Sequence, residues 1–185
     1  GTWAIAAAIT GGALTLKGAN PRHLDALLGV LMDAGVTVDE KSDGLYIAAN
    51  QRLRSVDIST DPFPGFPTDL QAQFMALMCF AEGASRISET VFENRFMHVP
   101  ELLRMGADIQ VDGGVALVRG HQNLTAAPVM ATDLRASVSL VLAALATPGI
   151  SEVSRIYHLD RGYSDLEAKL GACGARIQRV GETDG

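Results

Sequence analysis

The chain has 185 residues, 48% of them hydrophobic, which is enough apolar material for one domain with a substantial core. Its net charge of -6 comes from interspersed acidic and basic residues, which argues against nucleic acid or an anionic membrane surface as the main partner. The longest apolar stretches, such as residues 138–146, fall far short of the roughly 20 residues that span a bilayer, and no signal-peptide pattern is present.

The first third of the chain predicts a helix, a strand, a second helix and a β-hairpin, in that order. Residues 3–12 form an apolar run that ends in glycine, and residues 13–17 alternate as a half-buried strand does. The second helix, residues 24–35, also ends in glycine, which favours the left-handed backbone found after helices. Three strands follow, at residues 36–38, 45–48 and 55–58, the first two joined by the turn Asp43-Gly44.

The same order of elements recurs about every 70 residues, which indicates an internal repeat. The second copy places a helix, a strand, a glycine-ended helix and a hairpin at residues 74–83, 84–90, 99–106 and 107–118. The third copy places two pairs of helix and strand at residues 138–149, 150–156, 163–174 and 175–180. The repeat predicts an α/β fold of three units, bounded at about 1–58, 59–125 and 126–180, with a tail at 181–185.

Both ends of this repeat are incomplete. The second and third units have a lead-in segment before their first helix, whereas the first unit starts at Gly1 already inside its helix. The third unit stops before its hairpin is complete. Since a sheet that lacks edge strands exposes unpaired backbone groups, either another segment of the same protein supplies those strands or the ends are frayed. We expect that residues upstream of Gly1 are missing.

The segment before the first helix of the second unit combines a helix-start pattern with a carboxylate. Thr68 and Gln71 form a Thr-x-x-Gln capping box, and Asp69 lies in the first turn, where the helix dipole favours negative charge. One interpretation is a well-capped helix. The other is a carboxylate held rigidly at a cleft, where it accepts the proton of a substrate hydroxyl. The two interpretations are compatible.

Three arginines stand where turns lead into helices in the related units. Arg135 occupies the position that corresponds to Gln71, although the helix dipole disfavours a cation there, and Arg95 and Arg161 occur in the polar clusters 93–98 and 157–162. Solvated surface arginines are one interpretation. The other is a site for a small doubly anionic ligand, because planar guanidinium groups bind phosphate and carboxylate in two-point contacts.

Histidine and cysteine spacing predicts neither a metal site nor a disulfide. The four histidines lack the close spacing of metal ligands, and two of them are interpreted as structural hydrogen-bonding partners: His98 and His158. Cys79 lies in an apolar run and is interpreted as a small buried hydrophobe, while Cys173 lies at the end of a predicted helix.

Four motifs carry a resemblance to a known family. They are residues 66–74 (FPTDLQAQF), 89–102 (ETVFENRFMHVPEL), 130–137 (MATDLRAS) and 155–163 (RIYHLDRGY). In this order they closely resemble the UDP-N-acetylglucosamine 1-carboxyvinyltransferases, from about Gly1 to Val180. The related 5-enolpyruvylshikimate-3-phosphate synthases share the fold but are less similar at these motifs.

The resemblance implies an inside-out α/β barrel, in which three βαβαββ units place helices inside and sheets outside. Residues 1–180 would be the C-terminal domain, completed by N-terminal strands of the same enzyme, and the missing N-terminal domain would be about as large again. The implied reaction transfers the enolpyruvyl group of phosphoenolpyruvate to the 3′-hydroxyl of UDP-N-acetylglucosamine and releases phosphate. It begins peptidoglycan precursor synthesis in the cytoplasm, needs no cofactor or metal, and serves cell-wall biogenesis, cell shape, the cell cycle and cell division.

The resemblance also implies roles for individual residues. Asp69 would bind the sugar 3′-hydroxyl and act as its base, and Asp133 would orient the site or assist proton transfer. Further contacts to the sugar nucleotide would come from Thr68, Val91, Phe92 and Leu134, with Val91 acting through its backbone. The phosphoenolpyruvate site would be lined by Arg95, Arg135 and Arg161.

The family's proton-donor cysteine and its lysine–asparagine pair lie in the other domain. Neither Cys79 nor Cys173 has a matching context, so residues 1–185 alone are expected to show no turnover. Two alternatives stay open at this point. One is a transferase of the shikimate type, and the other is a non-catalytic domain that binds a sugar nucleotide or a protein.

Overall fold

The computed structural model describes residues 1–120 and 123–181. His121 and most of the predicted tail, residues 182–185, lie outside the described residues. The α-helices are α1 (Thr2–Ile9), α2 (Asp25–Asp33), α3 (Gln71–Met78), α4 (Val99–Arg104), α5 (Leu134–Ala146), α6 (Tyr157–Asp160) and α7 (Leu166–Ala172). The strands are β1 (Ala13–Lys17), β2 (Thr37–Lys41), β3 (Gly44–Ala48), β4 (Ile58–Ser59), β5 (Gly83–Ser88), β6 (Asp108–Asp112), β7 (Val115–Gly120), β8 (Pro128–Met130) and β9 (Glu152–Ser154).

Three small sheets follow the predicted repeat. The first has the strand order β1-β3-β2, the second β4-β5-β7-β6 and the third β8-β9. In the second sheet a parallel pair, Ile58 opposite Ile87, is continued by the antiparallel pairs of β7 with β5 and β6. The third sheet contains the parallel pair alone, and the first contains the antiparallel part alone. The strand predicted at residues 55–58 of the first unit is only Ile58–Ser59 in the structure, and it pairs in the sheet of the second unit. The other strands of each sheet come from one unit.

The first helix of each unit lies in the interior. Helices α1, α3 and α5 contact one another, and every residue of α3 is buried. Helix α1 is rich in alanine, and seven of its eight residues are buried, so its backbone packs closely against its neighbours. One apolar cluster runs through all three helices and reaches the sheets, and a second joins α5 to α6 and α7. The interior helices, which begin at the polar motifs, are thereby fixed by packing.

Glycine ends the second helix of each unit, as the sequence predicts. The backbone is left-handed at Gly35 (φ +100°), Gly106 (φ +88°) and Gly174 (φ +97°). An L-residue with a Cβ rarely adopts these angles, so the sequence signal was specific.

Two predictions for the third unit are wrong. Residues 175–180 form no strand, because no strand in the described part of the chain lies beside them as a partner. Arg179 in this segment instead binds Asp160 and Glu167 through its guanidinium group. In addition, the short helix α6 was not predicted, and the next helix begins at Leu166 rather than at residue 163.

Across residues 1–120 and 123–181, no helix combines the length and apolar character needed to cross a bilayer.

Candidate active site

The polar motifs of the second and third units meet where the interior helices α3 and α5 begin. Asp69 lies in a 3-10 turn, Thr68–Leu70, that leads directly into α3. Arg135 is the second residue of α5, and Arg95 lies in the loop before α4. Because α3 and α5 pack against each other, side chains more than sixty positions apart in the sequence come into contact.

Asp69 is placed between two guanidinium groups. Its Oδ1 atom lies 3.8 Å from Nη1 of Arg95 and makes a closer ion pair with Nε of Arg135. The side chain of Asp69 is 60% exposed and that of Arg95 is 23% exposed, so the carboxylate faces the opening and Arg95 lies deeper. The Arg95 guanidinium carbon also lies 4.4 Å from the centre of the Phe92 ring, a cation–π contact. The structure therefore brings Asp69, Phe92, Arg95 and Arg135 together.

Asp133 caps the helix that carries Arg135. Its Oδ1 accepts hydrogen bonds from the backbone N–H groups of Arg135 (2.8 Å) and Ala136 (2.9 Å). This N-cap satisfies donors that would otherwise lack partners at the helix start. The Ser137 hydroxyl donates in turn to the Asp133 carbonyl oxygen. The first turn of α5 is thereby well defined, although Arg135 opposes the helix dipole there.

The predicted capping box at Thr68 and Gln71 is wrong. Neither the 3-10 turn nor α3 has a side-chain cap, and the Thr68 hydroxyl donates instead to Oε2 of Glu89 at 2.9 Å. Gln71 is 1% exposed, and its Nε2 atom has no hydrogen-bond partner among the described residues. A charged acceptor from a segment 21 positions away competes successfully with the local backbone for the threonine hydroxyl.

The residue that organises this region, Glu89, was missed by sequence reasoning. Its carboxylate is buried and accepts hydrogen bonds from the hydroxyls of Thr60 and Thr68 and from the backbone N–H groups of Val91 and Phe92. The two threonines are 29 and 21 positions away in the sequence. A lone glutamate at a strand end is usually solvated, so no local signal pointed to it.

The turn after β5 places the two remaining residues of this motif. Val91 is partly buried and Phe92 is exposed, and the N–H groups of both point at Glu89 Oε1, at 3.1 and 3.2 Å. Phe92 lies against Arg95, as described above. This turn is therefore held from inside by Glu89 and borders the ion-pair cluster on its outer side.

The position of Arg161 differs from the prediction. It follows the end of α6 rather than leading into a helix, and it is exposed and pairs with no carboxylate in residues 1–120 and 123–181. The next residue, Gly162, packs on Leu134, the first residue of α5: a Cβ at position 162 would lie 2.5 Å from Leu134 Cδ1. Arg161 therefore flanks the helix start that carries Arg135, while its side chain stays outside the ion-pair cluster.

A small cleft of about 20 Å³ opens between these segments. It is lined by Thr68, Gln71, Ala72, Arg95, His98, Asp133, Arg135 and Ala136. Ligand pockets usually range from about 300 to 1,000 Å³, so these residues do not enclose a ligand by themselves. Two guanidinium groups favour an anion in this cleft.

A neutral imidazole lies at the back of the cleft. Burial lowers the pKa of His98 to about 4, although the carboxylate of Asp133 acts in the opposite direction. Its Nε2 lies 3.2 Å from the sulfur of Met75, and its Nδ1 has no partner in the described part of the chain. His98 therefore contributes a polar but uncharged surface beside the arginines.

Both cysteines are free, and they differ in environment. Cys79 is buried in α3's C-terminal turn, as predicted, and burial raises the pKa of its thiol to about 12, which makes it a poor nucleophile. Cys173 is exposed. Within the described residues, no group of three His, Cys, Asp or Glu side chains is arranged to hold a metal ion.

Comparison with known proteins assigns the family. The sequence model of the family EPSP synthase (3-phosphoshikimate 1-carboxyvinyltransferase) matches residues 1–170. The chain belongs to this family. Two relatives named UDP-N-acetylglucosamine 1-carboxyvinyltransferase, from Caulobacter vibrioides (strain NA1000 / CB15N) and Afipia carboxidovorans, are 63% and 60% identical over 97% of this chain. The chain spans 42% of the length of each of these relatives.

Solved structures of the same family share the fold. The enolpyruvyl transferase NikO from Streptomyces tendae matches 97% of this chain and 43% of its own, with a TM-score of 0.84 and 33% identity. An EPSP synthase from Acinetobacter baumannii matches 98% of this chain and 46% of its own, with a TM-score of 0.74 and 18% identity. The predicted enolpyruvyl transferase fold is therefore confirmed, while closure of the units into an inside-out barrel stays a prediction.

Proposed function

We propose that this chain forms one wall of the active site of a UDP-N-acetylglucosamine enolpyruvyl transferase. The observation that carries the proposal is the Asp69 carboxylate set between Arg95 and Arg135, in a chain 63% identical to a protein of that name. A base beside two fixed cations suits a reaction in which a hydroxyl loses its proton to attack a doubly anionic donor.

In the proposed reaction, Asp69 accepts the proton of the sugar 3′-hydroxyl as its oxygen attacks C2 of phosphoenolpyruvate. The C3 methylene gains a proton, which gives a tetrahedral intermediate. Loss of a proton from C3 and departure of phosphate from C2 then restore the double bond. Arg95, Arg135 and Arg161 balance the charge of the carboxylate and phosphate groups, and the proton donor comes from outside residues 1–185.

Contacts to the sugar nucleotide come from the turn that Glu89 holds. Val91 acts through its backbone, Phe92 packs beside the sugar, and Thr68 and Leu134 complete the wall. Asp133 acts through α5, whose first turn it caps and whose second residue is Arg135. The opposite wall is a second domain of the same protein, which carries the proton-donor cysteine and the lysine–asparagine pair. The cellular setting that fits this reaction is cytoplasmic peptidoglycan precursor synthesis, with its links to cell shape and division.

The test is enolpyruvyl transfer by the complete gene product, followed as phosphate release from phosphoenolpyruvate with UDP-N-acetylglucosamine as acceptor. Asp69→Asn keeps the shape but removes the base, so we expect kcat to fall about 10²- to 10⁴-fold. Asp108→Asn is the matched control, because Asp108 is another exposed carboxylate paired with an arginine, 3.4 Å from Arg119, on β6. The control is expected to retain wild-type kcat.

Each alternative has its own outcome. Transfer to shikimate 3-phosphate but not to UDP-N-acetylglucosamine would assign the shikimate-type reaction. Binding of the sugar nucleotide without transfer to either acceptor would leave a binding domain. An Asp69→Asn variant with unchanged kcat would remove Asp69 from the role of base.

A further inference from the structure

A buried carboxylate joins three separate segments at the edge of the candidate site. Glu89 is 8% exposed and follows β5 directly. Its Oε1 accepts from the Thr60 hydroxyl at 2.8 Å and from the N–H groups of Val91 and Phe92, and its Oε2 accepts from the Thr68 hydroxyl at 2.9 Å. The segments come from the end of β4, from the turn before α3 and from the turn after β5.

Burying the Glu89 carboxylate costs free energy unless donors fill both of its oxygens. A carboxylate accepts hydrogen bonds but donates none, and its transfer from water into a protein interior is strongly unfavourable without partners. Within residues 1–120 and 123–181 Glu89 forms no ion pair, so neutral donors alone compensate its burial. Both oxygens are used. Such a group defines the geometry of its partners more than it contributes to stability.

Two of these partners are also linked on the outer side, which closes a ring of contacts. Thr68 is followed by Asp69, and Asp69 forms an ion pair with Arg95. Arg95 lies over the ring of Phe92, whose N–H returns to Glu89. A shift in Glu89 therefore moves the carboxylate of Asp69 and the 91–92 backbone relative to each other.

Thr60 connects the ring to the strand below it. It is fully buried, its hydroxyl donates to Glu89, and the same oxygen accepts from the N–H of Thr90 at 2.9 Å. The Thr90 hydroxyl donates to the Thr60 carbonyl oxygen. The turn after β5 is consequently tied to the end of β4 by both backbone and side chains.

We propose that Glu89 is a positioning residue for the acceptor substrate. Its hydrogen bonds hold the base Asp69 and the backbone of residues 91–92 at the spacing that places the acceptor hydroxyl against the base. The inference rests on the proposed function. Hydrogen-bond geometry, not charge, carries the effect, because a glutamine can accept from both N–H groups through its oxygen and donate its NH₂ to the Thr68 hydroxyl.

The test compares Glu89→Ala and Glu89→Gln in the complete gene product, with kcat and KM measured for both substrates. In Glu89→Ala we expect kcat/KM for the sugar nucleotide to fall about 10- to 100-fold, since misplacement near 1 Å costs that much. We expect Glu89→Gln to stay within about threefold of wild type. The matched control is Thr147→Ala, a buried hydroxyl at the far end of α5, roughly 20 Å along the helix from Arg135.

A second readout does not depend on activity. Hydrogen exchange of the peptide that covers residues 89–95 should lose protection at the Val91 and Phe92 amides in Glu89→Ala and keep it in Glu89→Gln and Thr147→Ala. If Glu89→Ala fails to fold, Thr60→Val is the second variant: it removes one bond to Glu89, together with the bond from the Thr90 N–H to the same oxygen. It should lower kcat/KM for the sugar nucleotide in the same direction by a smaller factor.

The outcomes separate this inference from the proposed function. A wild-type protein without transfer activity would contradict the proposed function. The exchange experiment would still report whether Glu89 fixes the turn at residues 91–92. An active wild type with unchanged kcat/KM in Glu89→Ala would overturn the positioning role. Equal losses in Glu89→Ala and Thr147→Ala would also overturn it, because the effect would then be general loss of stability.

Discussion

Asp69 has two roles to reconcile, as partner of two guanidinium groups and as proposed base. In the structure its carboxylate neutralises Arg95 and Arg135, which face the same cleft. An incoming carboxylate or phosphate offers those arginines a stronger, two-point partner. We expect such a donor to displace Asp69 from the arginines, which leaves its carboxylate available for the acceptor hydroxyl.

His98 predicts a pH dependence of stability. Burial holds the pKa of His98 at about 4, below the ordinary value of 6.5 that applies in the unfolded chain. Between pH 7 and pH 5 the unfolded chain therefore binds a proton that the folded protein does not. We expect this residue to lower the free energy of unfolding by about 2 kcal/mol over that interval. His98→Gln should remove this component of the acid destabilisation.

The measurement is urea denaturation at pH 7, 6 and 5, followed by circular dichroism. The quantity compared is the decrease in unfolding free energy with pH, not its absolute level, because the glutamine also changes packing. His23→Gln, at an exposed position, is the control and should keep the wild-type decrease. Equal decreases in His98→Gln and wild type would contradict the prediction.

At the scale of the elements, the site depends on how closely the strands approach the interior helices. Strand β7 ends at Gly120, where a Cβ would lie 2.0 Å from the carbonyl oxygen of Ala81 and 2.5 Å from that of Met78. Glycine is required there because backbone, not a flexible side chain, occupies the space. The close approach of β7 also fixes the end of α3, the helix that begins directly after the turn containing Asp69.

Gly120→Ala should destabilise the protein by about 2 kcal/mol or more, because neither backbone carbonyl can move without disturbing α3. Gly29→Ala is the matched control: Gly29 lies within α2, and a Cβ there meets nothing within 4 Å. Alanine in a helix is favoured over glycine by roughly 0.5–1 kcal/mol, so the control should be stabilising. Thermal unfolding of both variants measures the difference, and equal effects would refute the assignment.

At the scale of the whole molecule, the three units share one core. The main apolar cluster includes residues of α1, α3 and α5, so no unit buries its interior helix alone. We infer that the units unfold together rather than one after another. Asp69 and Arg135, residues of the candidate site from two different units, therefore stay in contact only while all three helices are packed.

Leu140→Ala tests this cooperativity. Leu140 lies in α5 and is fully buried, so its truncation should cost about 2–5 kcal/mol. Hydrogen exchange should speed up in β3 and β7, which belong to the other two units, as much as in α5 itself. Leu103→Ala, at a half-exposed position in α4, should leave exchange nearly unchanged. Faster exchange confined to residues 126–180 would show that the units open separately.

Sequence patterns predicted the repeat and most of its elements. Periodicity and glycine punctuation are local properties, so strand β1 and the helix ends at Gly35 and Gly106 could be predicted directly. The residues of the cleft could also be predicted, because each lies in one of the four short motifs that carry the family resemblance. They could not show which of those residues touch, since contact between Asp69 and Arg135 depends on the packing of α3 against α5.

The hydrogen-bond and ion-pair partners of the polar groups could not be predicted from local sequence patterns. The Thr68 hydroxyl binds Glu89 and does not cap the helix. Arg161 lies outside the ion-pair cluster. Residues 175–180 form no strand because no neighbouring strand pairs with them. In each case the competing partner, or its absence, lies far away in the sequence. A buried carboxylate is stable only when its oxygens accept hydrogen bonds, and a strand forms only beside another strand. Because those partners lie far away in the sequence, long-range geometry overrides the local preference.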